Sequence, residues 1–220
     1  MNRAERSNVP PSRATLQAQA TRRRIILFAS LAVIAIGVLV AIGYANRSVP
    51  QSASTAPISA QLSIGQQAPE FAVSTTQGPF DLALARGKPT LLEVFATWCP
   101  HCQRETAVLD SLYDTYKNRV HIVAVSGSPS DITDQNPETQ ADVVAFATRF
   151  GARYPVAFDP NLGVAKSYLQ SGFPTLVLIG ADGRVQSVAS GEIPQADIAA
   201  ALTASAGGHK PDPKMGARGA

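Results

Sequence analysis

The stretch Thr90–Cys102, TLLEVFATWCPHC, decides how the chain is read. Thr90–Ala96 is almost continuously apolar, as in a central strand buried on both faces, and its one acid is Glu93. From Pro100 to about Lys117 the apolar residues Val108, Leu109, Leu112 and Tyr116 recur at helical spacing. The sequence therefore predicts a strand that passes directly into a helix, with Trp98-Cys99-Pro100-His101-Cys102 at the junction. With Cys99 as N-cap, Pro100 takes the first helical position, where a missing N–H costs nothing. The N–H groups of His101 and Cys102 are then expected to donate to the Cys99 sulfur, and the positive end of the helix dipole favours a thiolate there. Cys99 is accordingly the expected nucleophile, tuned by Pro100 and His101. Cys102, one turn deeper, is expected to attack the mixed disulfide formed at Cys99.

Cys99 and Cys102 are the only two cysteines. A bond between them closes a tiny loop and restricts the unfolded chain very little, so the pair serves chemistry or metal rather than stability. C-x-x-C is also half of a tetrahedral zinc site, but with His101, His121 and His209 as the only other soft donors the second half is missing. No metal ligands are assigned, and no cofactor is expected beyond the redox-active disulfide Cys99–Cys102.

Working outward, Val120–Ser126 reads as a second buried strand, parallel to the first because a helix intervenes. Pro79–Leu84 and its neighbours read as small leading strands, closed by the turn Arg86-Gly87-Lys88-Pro89. The polar stretch Gly127–Gln140 followed by a helical Ala141–Phe150 has the character of an insertion. Tyr154–Phe158 is then a short strand and Asn161–Leu169 a helix, while Thr175–Ile179 and Arg184–Ala189 form a hairpin around Ala181-Asp182-Gly183. Ile193–Ala204 is the last helix, with Pro194 expected at its first helical position. The alternation of elements is that of an α/β domain.

A chain of 220 residues, 45 % hydrophobic, holds one sizeable core and is not disordered throughout. Its net charge of +3 hides a split, because six arginines fall in residues 1–24 whereas residues 61–206 carry 9 basic and 14 acidic side chains. A folded body of that sign is a poor binder of phosphate backbones, which excludes nucleic acid as a partner. Ile25–Tyr44 contains no charge and no proline, and at ~1.5 Å per residue it spans a bilayer core. The arginine-rich leader places the amino terminus in the cytoplasm and the rest outside. The expected organisation is a cytoplasmic leader (1–24), a single-pass transmembrane signal-anchor helix (25–44), a flexible linker (45–61), a folded domain (62–206) and a disordered tail (207–220). The alternative of a cleaved signal peptide also exports the domain.

Four motifs in order carry a family resemblance: Gly65-Gln66-Gln67-Ala68-Pro69-Glu70-Phe71, Arg86-Gly87-Lys88-Pro89, Phe95–Cys102 and Gly172-Phe173-Pro174-Thr175. Over about residues 62–206 the chain resembles membrane-anchored thioredoxin-fold proteins of the TlpA/ResA type. The resemblance implies a thioredoxin-like fold, a central mixed sheet flanked by helices, with an N-terminal strand extension and a helical insertion. It implies an extracytoplasmic thiol–disulfide oxidoreductase that exchanges thiols and disulfides with protein substrates and a membrane thiol electron-transfer partner, with cytochrome c or copper-site maturation as a setting. It further implies a cis Pro174 beside the cysteines, with Trp98, Phe173 and Thr175 contacting substrate. Glu93 matches the buried acid of thioredoxin and is expected to exchange a proton with Cys102. The Pro-His dipeptide is that of the periplasmic oxidant DsbA, whereas many TlpA/ResA-type reductants carry other pairs, so the direction of electron flow stays open. Two further readings are a copper-binding assembly factor, from which the short cysteine spacing departs, and a peroxiredoxin, in which a Thr or Ser would stand where this chain has Ala96.

Overall fold

The predicted central strand forms as Thr90–Phe95, with all six residues buried. The computed structural model describes residues 61–215. The expected leader, transmembrane helix, most of the linker and the end of the tail lie outside the described residues. Among the described residues no helix is long and apolar enough to cross a membrane. In chain order the elements are β1 (Ala72–Thr75), β2 (Gly78–Asp81), β3 (Thr90–Phe95), α1 (Pro100–Tyr116), β4 (His121–Ser126) and α2 (Gln140–Phe150). They continue with β5 (Val156–Phe158), α3 (Gly163–Tyr168), β6 (Thr175–Ile179), β7 (Val185–Ser190) and α4 (Gln195–Ala206).

One sheet of order β2-β1-β5-β4-β3-β6-β7 holds the seven strands. It is mixed, since β3 runs parallel to β4 and antiparallel to β6. Side chains alternate across a strand, so Leu91, Glu93 and Phe95 of β3 share one face and Leu92 and Val94 the other. The first face packs with Leu109 and Leu112 of α1, Phe146 of α2 and Ile198 of α4. The second packs with Val123 and Val125 of β4 and Val164 and Tyr168 of α3. This is the thioredoxin-like α/β arrangement that the motifs imply.

Several boundaries differ from expectation for local reasons. The leading strands end at Asp81, whose carboxylate accepts from Ala83 N–H at 2.8 Å and turns the chain. Leu162 adopts a left-handed φ of 53°, and Asp159 accepts from Val164 N–H at 2.8 Å, so α3 starts only at Gly163. Pro194 caps α4 at ψ 132° instead of opening it. The insertion helix α2 has a reciprocal capping box between Thr139 and Asp142 and stops at the left-handed Gly151. Residues 207–215 are not loose: Val188 N–H donates to the Pro213 carbonyl at 3.2 Å, Met215 N–H donates to Ser187 Oγ at 3.1 Å, and Met215 is 3 % exposed. This part of the tail covers the open edge of β7, which would otherwise present unpaired backbone groups.

Gly127, directly after β4, packs where no side chain fits. A Cβ there would stand 2.7 Å from Val94 Cγ1, 2.9 Å from Ala165 Cβ and 3.3 Å from Phe173 Cε1. Gly127→Ala is therefore expected to lower stability by about 1–3 kcal/mol through overpacking, read as a lower urea midpoint. An unchanged midpoint would refute this close packing.

Candidate active site

Cys99 ends the loop from β3 and caps α1 in an extended conformation, φ −78° and ψ 117°, with Pro100 as the first helical residue. Cys99 is 5 % and Cys102 0 % exposed, and both are free thiols. The Cys99 side chain is close enough to Cys102 to add to the rise in its pKa. The expected N–H donation to the Cys99 sulfur is absent, for its side chain makes no cap hydrogen bond. A neutral thiol is a weak acceptor, and here it donates to the Phe173 carbonyl at 3.8 Å.

The Phe173–Pro174 peptide is cis, as the resemblance implies. Trp98 meets the Phe173 ring edge-on at 5.9 Å and donates from Nε1 to Ser128 Oγ at 2.8 Å. Both aromatic rings are half-buried beside Cys99. Thr175 differs from expectation: it is fully buried, donates to the Gly172 carbonyl at 2.7 Å and accepts from Gln170 N–H at 3.3 Å. Its hydroxyl shapes the loop before β6 and does not face a substrate.

Glu93 lies in the core, 1 % exposed. Its Oε2 accepts from Tyr154 Oη at 3.5 Å, and its Oε1 has no partner among the described residues. Burial, reinforced by the nearby Glu105 carboxylate, holds its pKa well above the ordinary carboxylate value. Burial also pushes the Cys102 thiol up strongly, and the charge of Glu93 adds to the effect. The Cys102 thiol therefore senses the charge state of Glu93.

Two acidic residues beside the site are not picked out by the sequence reading. Glu105 lies on α1, three residues after Cys102, and is 1 % exposed. Its Oε2 accepts from Ile193 N–H at 3.3 Å, while its Oε1 has no partner among the described residues. Burial raises its pKa to about 7, with Glu192 adding to the rise. The signal was present, because Cys102, Glu105, Thr106, Leu109, Leu112 and Tyr116 form one buried helical stripe. The second is Glu192, whose Oε1 lies 2.5 Å from His101 Nδ1 and 2.9 Å from Arg104 Nε. His101 itself is exposed on the first turn of α1.

A thioredoxin-like sheet with paired thiols at a strand–helix junction, faced by a cis-proline loop and backed by buried acids, defines a thiol–disulfide oxidoreductase. Residues 64–188 match the AhpC/TSA family, and the chain belongs to that family as a ResA/TlpA-like member. It is 32 % identical over 139 residues to the thiol-disulfide oxidoreductase ResA of Geobacillus thermodenitrificans, covering 62 % of this chain and 75 % of that protein. The ResA of Bacillus anthracis is 31 % identical over 134 residues, with 60 % and 72 % covered. Among solved structures, a Chlorobium tepidum protein assigned as the thiol:disulfide interchange protein DsbE aligns at a TM-score of 0.58 and 26 % identity, over 66 % of this chain and 99 % of that one.

The buried acids make stability depend on pH. Below the ordinary value of 4.5, Glu105 is protonated in folded and unfolded chains alike. Between 4.5 and about 7 the folded chain keeps a proton that the unfolded chain has released, so stability falls as pH rises through this window. Urea midpoints should drop between about pH 5 and pH 8 in the parent and drop less in Glu105→Gln. Equal drops in the two chains would contradict the assignment.

Proposed function

We propose that Cys99 and Cys102 are the redox pair with which this chain exchanges disulfides with protein substrates outside the cytoplasm. The observation that carries this reading is the placing of Cys99, the more accessible of the two thiols at 5 % exposed, against the Phe173 carbonyl of the cis-proline loop, with Cys102 fully buried one turn along α1. In the reducing direction the Cys99 thiolate attacks a substrate disulfide, forming a Cys99–substrate bond and releasing one substrate thiolate. Cys102 then loses its proton and attacks Cys99 Sγ. The second substrate thiolate leaves, and two electrons have passed to the substrate as Cys99–Cys102 forms. The oxidising direction runs the same steps backwards.

Glu93 exchanges the Cys102 proton, giving it up as the ring opens and taking it back as the ring closes. Trp98 and the Phe173 backbone flank the incoming chain, and Pro174 adds no competing N–H. The uncharged Ile25–Tyr44 stretch and the arginine-rich leader support a membrane anchor with the domain on the outer face. There a membrane thiol protein would renew the pair. As a reductant the chain would serve cysteines of cytochrome c or copper sites, and as an oxidant, the direction Pro100-His101 supports, it would introduce disulfides. A potential near ~−270 mV assigns the first role and one near ~−120 mV the second.

Cys102→Ser should accumulate mixed disulfides with substrate proteins, whereas Cys99→Ser should form none. Absence of adducts on Cys102→Ser under turnover would remove Cys102 from the resolving step. Glu93→Gln should slow release of the mixed disulfide by about 10²-fold, the usual scale for a lost proton-transfer group, in stopped-flow exchange with a disulfide peptide. An unchanged rate would take Glu93 out of the mechanism.

A further inference from the structure

Gly191, Glu192 and Ile193, consecutive in the loop between β7 and α4, each reach a different part of the site. Gly191 N–H donates to the Pro174 carbonyl at 2.8 Å. Ile193 N–H donates to the buried Glu105 carboxylate at 3.3 Å. Between them, the Glu192 carboxylate crosses to the first turn of α1, lying 2.5 Å from His101 Nδ1 and accepting from Arg104 Nε at 2.9 Å and from a second Arg104 N–H. Arg104 also stands 3.0 Å from His101 Nδ1, so one carboxylate gathers both side chains. Arg104 is in turn near enough to Cys99 to sense charge on its sulfur.

We propose that Glu192 is a positioning residue that sets the redox potential of the Cys99–Cys102 pair by drawing His101 and Arg104 onto its carboxylate and offsetting the positive charge that Arg104 presents to the Cys99 thiolate. The thiolate exists only in the reduced protein, so positive charge beside Cys99 stabilises that form and makes the disulfide more oxidising. A carboxylate fixed on those same groups works the other way. The guanidinium of Arg104, with His101, pulls the Glu192 carboxyl down to about 2, so its charge is present across the neutral range. The Gly191 and Ile193 backbone bonds hold the main chain on both flanks of Glu192, which keeps its carboxylate within reach of the first turn of α1. A Pro-His dipeptide is thereby held to a less oxidising potential than its own chemistry would give, through a residue 91 positions away in the sequence.

This inference rests on the reversible Cys99–Cys102 disulfide proposed above. The test equilibrates the full chain, in detergent, with glutathione buffers, comparing the parent with Glu192→Gln and repeating the comparison in a His101→Ala/Arg104→Ala background. Glu192→Gln should shift the equilibrium about tenfold toward the dithiol, close to 30 mV more oxidising for this two-electron couple. In the double-alanine background the shift should shrink below twofold. Equal potentials, a shift of opposite sign, or a shift undiminished in that background would overturn the assignment of Glu192 alone. A parent chain that forms no reversible disulfide at any buffer ratio would overturn the functional reading and this one with it.

Discussion

The antiparallel register of β3 against β6 sets Leu92 across from Val177 and Val94 across from Thr175, so the strand that runs into Cys99 ends where the strand that leaves Pro174 begins. That one pairing brings the first thiol to the Phe173 carbonyl, with no contact between the two loops needed to find the register. A slip by a single residue would turn every side chain of β3 to the opposite face. Glu93 would leave the side where Cys102 and Glu105 lie, and Leu92 and Val94 would lose the cluster beneath α3. Because both faces of β3 are buried, neither consequence is tolerable, and the register is fixed from both sides.

The same burial that fixes the register makes the acids costly. Carboxyl groups in an apolar core lose hydration, and Glu93 and Glu105 each retain an oxygen without a partner among the described residues. Their raised pKa values let the folded chain keep protons that solvent would otherwise take, and this works against stability at neutral pH. A core built for stability alone would place Leu or Met at these positions. Stability is therefore lower at the point where the proposed exchange has Cys102 gain and lose its proton, as expected when a site and its scaffold compete.

What the sequence made legible was local: the apolar run of β3, the proline after Cys99, the helix periodicity and the cysteine spacing are all read within a few residues of one another. Glu93 was legible because it interrupts a buried run. Glu105 was not, because a charged residue on a helix reads as solvated unless the buried stripe is traced, and its burial is completed by Ile193 arriving from the far end of the chain. Glu192 belongs to a loop whose meaning lies wholly in the tertiary contacts it makes. The tail at Pro213–Met215 was illegible for a related reason: one backbone hydrogen bond, one bond to the Ser187 hydroxyl and one buried methionine leave no periodicity to detect. Thr175 was misread because β-branched residues beside a cis proline look the same in sequence whether the hydroxyl faces outward or ties down the loop.

The site is held from two sides by segments distant in sequence. On one side the insertion grips the loop before α1, with Trp98 Nε1 bonded to Ser128 Oγ and Thr97 Oγ1 donating to the buried Glu138 at 2.8 Å. Ser126, at the end of β4, donates to the same carboxylate, so the insertion is anchored to the central sheet as well as to the site. On the other side the Gly191–Ile193 loop grips the first turn of α1 and the cis-proline loop together. Thiol–disulfide exchange moves little apart from sulfur atoms and a proton, and its geometry must be set before substrate arrives. An arrangement clamped at both flanks, with Cys99 keeping 5 % of its surface exposed and Cys102 none, fits the proposed division in which one sulfur meets the substrate and the other closes the ring.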